Sequence, residues 1–210
     1  MSATASRLPA HLPAHLPEDP EGWTRAALER GDLGAALDGL MEAYGTAVYR
    51  FCRQMVVEED LAQEAHQMTF VQAFESLPTF AGRSSLRSWL FSIARHRCLD
   101  ALKSLRRRRW RFGSLDEAVG DDRPHLPHPL NPEATVEEAL AERARRRALS
   151  GCLRRLAPRV RAALLLRYQQ ELSYPEIAQL AAEKAPALQM RVARALPVLR
   201  RCLEERGMAQ

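Results

Sequence analysis

Long apolar runs are missing from this 210-residue chain; the longest span only a few residues, as at 162–166, far short of the roughly 20 a membrane span needs. The first residues, MSATASRLPAHLP, carry no apolar segment of the kind that directs secretion, so a cytoplasmic protein with no membrane insertion is expected. No glycine-rich phosphate loop, G-x-S-x-G, H-E-x-x-H or C-x-x-C occurs, which removes the common signals of nucleotide, acyl-transfer and metal chemistry. No catalytic residue, metal ligand or cofactor is expected. Four cysteines, Cys52, Cys98, Cys152 and Cys202, stand about fifty residues apart and read as reduced, half-buried small hydrophobes. His11 with His15 and His125 with His128 lie in proline-rich stretches and read as solvated side chains rather than ligands. The period-two alternation of strands is absent as well, so the fold class expected is all-α.

Lysine is nearly absent too: of 31 basic residues all but two are arginine, a bias that suits forked phosphate and base-edge contacts and that a GC-rich genome would also produce. Composition cannot account for the clustering. Residues 83–112 hold ten cations and one acid, and 139–210 hold fifteen cations and six acids. Residues 21–82 and 113–138 each carry a net −6. Two basic blocks on either side of an acidic spacer indicate two polyanion-binding surfaces on one tether.

The repeat LPAHLPAHLP at 8–17 is rich in proline and reads as a disordered or polyproline lead up to residue 20. From Asp32, Leu33, Leu37, Leu40, Tyr44, Val48, Phe51 and Met55 recur at helical spacing. A second helix spans 60–76 and ends at Pro78. A glycine-bearing loop follows, with Ser84 or Ser85 as N-cap of a third helix. That helix carries Leu86, Leu90, Ala94, Cys98, Ala101 and Leu105 on one face, and Ser88, Ser92, Arg95, His96, Lys103 and Arg106 on the other, before the run RRRRWR at 106–111. Residues 113–132 mix acids and prolines without apolar period, which predicts a mobile linker. A second helical region covers 133–206, with helices over 133–156 and 158–170. The capping box S-Y-P-E at 173–176 then opens a short helix, and a last helix starting near Pro186 faces Leu188, Val192, Ala195, Leu199 and Leu203 inward. The final two make a helix-turn-helix candidate.

Arg95, His96, Arg97 and Lys103 beside Trp89, Phe91 and Trp110 combine phosphate-neutralising charge with aromatic planes on which unstacked bases could lie. Phe91 reads better as core. At 59–74 the chain reads EDLAQEAHQMTFVQAF and at 80–102 FAGRSSLRSWLFSIARHRCLDAL. This D-L-x-Q-E helix, followed by W-L-x-x-I-A-R-x-x-x-x-D, resembles region 2 of the sigma-70 family of bacterial RNA polymerase sigma factors. LRRLAPRVRAALLLRYQQELSYPEIAQLA at 153–181, with Arg191 and Arg194 following, is similar to region 4. The order and spacing resemble the compact extracytoplasmic-function (ECF) subclass. The implied domains are region 2 over 21–112, an acidic linker over 113–132, and region 4 over 133–206.

The resemblance implies a non-enzymatic, dissociable subunit. Asp60, Leu61, Gln63, Glu64 and Phe70 would face the clamp of the polymerase largest subunit, and region 4 would meet the flap of the second-largest. Phe80, Arg83, Ser84, Trp89, Arg95, His96, Arg97, Lys103 and Arg106 would hold the −10 element of promoter DNA, and Ser173, Gln189, Met190, Arg191 and Arg194 the −35 element. A cognate anti-sigma protein is expected as a further partner. His96 stands where the family usually has Asn, and Pro186, Ala187, Leu188 and Gln189 where it has G-T-V-K. Pro197 inside the last helix removes a backbone hydrogen bond, at a cost of about 3 kcal/mol unless the helix bends. A stand-alone helix-turn-helix regulator and a protein-binding adaptor with a degenerate last helix are the competing readings.

Overall fold

A computed structural model describes residues 20–56, 58–112 and 135–208. The histidine-proline repeat and the acidic linker, with His11, His15, His125 and His128, lie outside these. The described segments form eight α-helices and no strand: α1 (Pro20–Glu29), α2 (Leu33–Met55), α3 (Glu59–Ser76), α4 (Leu86–Phe112), α5 (Val136–Arg154), α6 (Pro158–Tyr168), α7 (Tyr174–Ala181) and α8 (Ala185–Glu204), with a 3-10 turn at Leu77–Thr79.

The first helix, α1, goes beyond what the sequence patterns announce. Gly31, at φ +73°, turns the chain back, and Asp32 then caps α2 by accepting the Ala35 N–H at 2.9 Å. Trp23 lies where a Cβ on Gly39 would sit, so the glycine lets α1 approach α2 closely. Glu21 ties this layer to α4, accepting from the Tyr44 hydroxyl at 3.2 Å and the Arg87 N–H at 3.0 Å. Placing a carboxylate at the first turn of α4 also complements that helix's dipole.

Leu40, Val48, Phe51 and Met55 of α2, Ala62, Ala65 and Ala73 of α3, and Leu86, Leu90, Phe91, Ala94 and Cys98 of α4 form the core of the N-terminal half. Phe51 and Phe91 meet edge to face at 5.7 Å; side chains of this size contribute about 1.5–3 kcal/mol each when fully buried. The same cluster continues into Leu153, Leu164, Leu166, Ile177, Leu188 and Val192. The seam is fastened by Arg161, 5% exposed. Its guanidinium donates to the carbonyls of Leu153, Arg154 and Leu156 at the end of α5, and across the seam to Met55 O at 2.6 Å. Carbonyls at two helix C-termini thus share one cation.

Thr135 with Glu138 and Ser173 with Glu176 form complete capping boxes at α5 and α7. Ala182, in the left-handed region at φ +52°, ends α7 and turns the chain into α8. α8 runs unbroken through Pro197; Leu196, Pro197 and Val198 are all exposed, so the ring displaces no packed neighbour. One cysteine expectation is overturned. Cys152 and Cys202 are disulfide-bonded, and only Cys52 and Cys98 stay free and buried; folding brings α5 and α8 side by side, which a fifty-residue spacing does not reveal.

Candidate nucleic-acid interface

The outer face of α3 bears Asp60, Gln63 and Glu64, all exposed, with Leu61 half-buried beside them. Phe70 does not join this face. It is 5% exposed, in edge contact with His66 at 5.2 Å, and belongs to the core, because helical spacing turns position 70 toward α2 and α4. Further along the same helix Met68, Val71 and Phe74 are exposed apolar side chains, which the motif did not single out.

The loop before α4 and that helix's first half bring the aromatic and basic candidates together. Ser85 is the capping residue: its hydroxyl accepts from the Ser88 N–H at 3.0 Å. Ser84 is half-buried and Arg83 exposed. Phe80 and Trp89 stack tilted at 5.2 Å, a ready aromatic ledge beside the loop. His96 is exposed, its Nδ1 within 2.8 Å of Ser92 O. Arg97 donates to Gln72 Oε1 at 2.8 Å, which fixes it against α3. Lys103 pairs with Asp100 at 3.1 Å, and Arg106 is exposed.

Arg95 departs from the expected open face. It is 6% exposed; burial holds its guanidinium below the usual arginine range, Glu183 opposes that shift and Arg159 adds to it. Both of those neighbours belong to the C-terminal half. Ser88, 1% exposed, donates to Glu176 Oε1 at 3.2 Å, and Arg87 reaches Gln170 Oε1 at 3.4 Å. One side of the basic face of α4 is therefore covered by α6 and α7, which a helical wheel of α4 alone cannot show.

On α8, Gln189, Met190 and Arg194 are exposed and Arg191 is held by Glu183 at 2.7 Å. Met190, Arg191 and Arg194 border an open groove of about 560 Å³ between α6 and α8, floored by Leu156, Val160 and Ala195. Ser173 is absorbed by its cap: its hydroxyl donates to Glu176 Oε2 at 2.6 Å and accepts the Glu176 N–H. The Ser173 hydroxyl and N–H, burial working against them, and Ser88 together hold the Glu176 carboxyl below its ordinary range. Among the described residues no cluster of His, Cys, Asp or Glu could hold a metal ion, and no helix is long and apolar enough to cross a membrane.

The family model for Sigma-70 region 2 matches residues 40–110, and that for Sigma-70, region 4 matches 146–196. The ECF RNA polymerase sigma factor SigC of Mycobacterium tuberculosis is 32% identical, over 95% of this chain and 94% of its own. The chain belongs to the sigma-70 family of RNA polymerase sigma factors, ECF type. RNA polymerase sigma factor YlaC of Bacillus subtilis is 30% identical over 63% of this chain and 69% of its own length. Among solved structures, the sigma factor RpoE of Bartonella quintana, in complex with the anti-sigma factor NepR, superposes with a TM-score of 0.62 at 20% identity, covering 78% of this chain and 94% of that one. CnrH, in complex with the cytosolic domain of CnrY, gives 0.61 at 23%, covering 89% and 99%. These superpositions show that this sigma factor has the same all-α fold.

Proposed function

We propose that the chain is a non-enzymatic, dissociable polymerase subunit, working in the cytoplasm, that brings core RNA polymerase to −35 and −10 promoter elements and assists melting at −10. The observation that carries this is the pairing, on one chain, of an exposed acidic-polar face on α3 with separate basic faces on α4 and α8. Asp60, Gln63 and Glu64, with Leu61, form the face for the largest-subunit clamp. Phe80 and Trp89 supply planes for unstacked bases, while Arg83, His96 and Arg106 supply contacts to bases and phosphates. Gln189, Met190, Arg191 and Arg194 read the major groove at −35, and region 4 meets the flap. The cover over Arg95 and Ser88 has to lift before the whole −10 face is available.

A cognate anti-sigma protein fits the exposed apolar residues Met68, Val71 and Phe74, because apolar surface of this kind is normally covered by a partner. RpoE, with the same fold, is found in complex with the anti-sigma factor NepR, and CnrH with the cytosolic domain of CnrY.

Run-off transcription with purified core polymerase on a fragmented genomic library tests the reading. Discrete transcripts dependent on this chain are expected, and Asp60→Arg with Glu64→Arg should abolish them with helicity retained by circular dichroism. A chain that binds duplex DNA but supports no transcript would favour the stand-alone regulator instead.

A further inference from the structure

Cys152 and Cys202 lie apart from every face assigned above. They occupy the last turns of α5 and α8, 50 residues apart in sequence, with Cα atoms 5.7 Å apart and their sulfurs bonded; that Cα separation is typical of natural disulfides. Both residues are buried. Arg155 donates to Cys202 Sγ at 3.6 Å and to Glu205 at 3.4 Å. Arg206 lies where a Cβ on Gly151 would sit, so the residue before Cys152 admits a second guanidinium over α5.

The free pair in the N-terminal half provides the contrast. The Cys98 thiol, hydrogen-bonded to Cys52 and buried, is pushed well up and stays protonated. Beside Cys202, by contrast, lies the Arg155 guanidinium. A guanidinium beside sulfur favours the thiolate, the form that reacts.

The bridge also sits where α8 is otherwise least anchored. Leu188, Val192 and Ala195 bury the first half of the helix. Past Pro197, which removes a helical hydrogen bond between the two halves, Cys202 is the buried residue and Leu199 and Leu203 are half-buried. Where polymerase works, thiols are kept reduced, and disulfides there are mostly transient or redox-sensing; this step rests on the function proposed above.

We propose that Cys152 and Cys202 are a reversible thiol–disulfide site, oxidised by hydroperoxides, that latches the C-terminal half of α8 onto α5 and thereby strengthens binding of −35 duplex DNA. The Cys202 thiolate attacks the hydroperoxide: an S–O bond forms, the O–O bond breaks, and the departing alkoxide or hydroxide takes a proton. The Cys152 thiolate then attacks the sulfenic sulfur, forming S–S and breaking S–O, and the released hydroxide is protonated to water. Two thiols and one hydroperoxide give one disulfide, one alcohol or water, and one further water; a dithiol reverses the change.

The full chain, treated with hydrogen peroxide or with dithiothreitol, is alkylated under denaturant and mapped by mass spectrometry. Amide exchange is followed in parallel, and so is anisotropy on a promoter duplex recovered by run-off transcription. A Cys152–Cys202 cross-link with Cys52 and Cys98 still alkylatable is expected. Amides at 198–206 should exchange roughly tenfold faster after reduction, and the duplex should bind several-fold more weakly. Cys202→Ser should exchange fast under both treatments. Absence of the cross-link, or equal exchange in oxidised and reduced wild type, overturns the latch. A change in exchange with no change in DNA affinity overturns the promoter half of the proposal and, separately, counts against region 4 as the −35 reader.

Discussion

His66 shows how burial makes a polar side chain's contribution to stability depend on pH. It sits between Tyr49 and Phe70, edge-on to both at 5.5 and 5.2 Å, with Nε2 within 3.2 Å of Gly45 O. Burial pushes its pKa below the ordinary histidine range, and the Gly45 carbonyl only partly opposes this. The folded state therefore binds a proton less tightly than the unfolded chain does. Its contribution to stability is fully present above the unfolded value, about 6.5, and is lost as pH falls through the lower folded value. Urea midpoints should accordingly drop as the pH is lowered from about 7.5 to below the unfolded value of about 6.5, with a smaller drop in His66→Gln. Equal slopes in the two proteins would show that another group titrates there. At this scale the sequence was a partial guide. Phe91 in the core and Met190 at the surface follow from helical spacing, whereas Phe70 was drawn to the clamp face by its place in a motif and lies instead in the core.

At the scale of elements, local chemistry was the most legible. S-Y-P-E sets the start of α7, and the structure contains both halves of its capping box. Ser173→Ala should lower stability by about 1 kcal/mol, the usual effect of losing such a cap. The variant also removes the largest cause of the lowered Glu176 pKa. A depressed carboxyl contributes stability that is present above its unfolded value, about 4.3, and lost as pH falls through the folded one. Wild type and Ser173→Ala should thus differ in urea midpoint at pH 7 and converge toward pH 3; a constant difference would mean that the hydroxyl acts without the carboxylate. What sequence patterns leave out at this scale are features set by neighbours distant along the chain. α1 is short, follows a proline-rich lead and is held by contacts with residues distant in sequence, Trp23 packing at Gly39 and Glu21 bonding to Tyr44 and Arg87. The disulfide depends on two helices joined through two others. A loop of 50 residues would by chain entropy contribute roughly 4 kcal/mol, so this omission matters energetically.

The whole molecule brings together two blocks that each carry a net positive charge, against their mutual repulsion. Apolar burial along α2, α4 and α6, the Arg161 bond to Met55 O, and the Ser88–Glu176 and Arg87–Gln170 bonds hold the halves together. Arg95 facing Arg159 works in the opposite direction. Ser88 is the position at which this balance is most easily tipped, because it is buried and already faces a carboxylate. Ser88→Glu would set two carboxylates against each other in a desolvated seam, an arrangement the closed form cannot keep while both are charged. Small-angle scattering should give a larger radius of gyration for Ser88→Glu than for wild type, with helicity unchanged by circular dichroism. Since repulsion between the basic blocks is screened by salt, raising the ionic strength should make wild type no larger and should reduce the excess of the variant. A variant that stays as compact as wild type, with helices intact, would show that the apolar seam alone holds the halves closed. In that case the covered side of the basic face of α4 could be exposed only by a partner that binds the apolar surface itself.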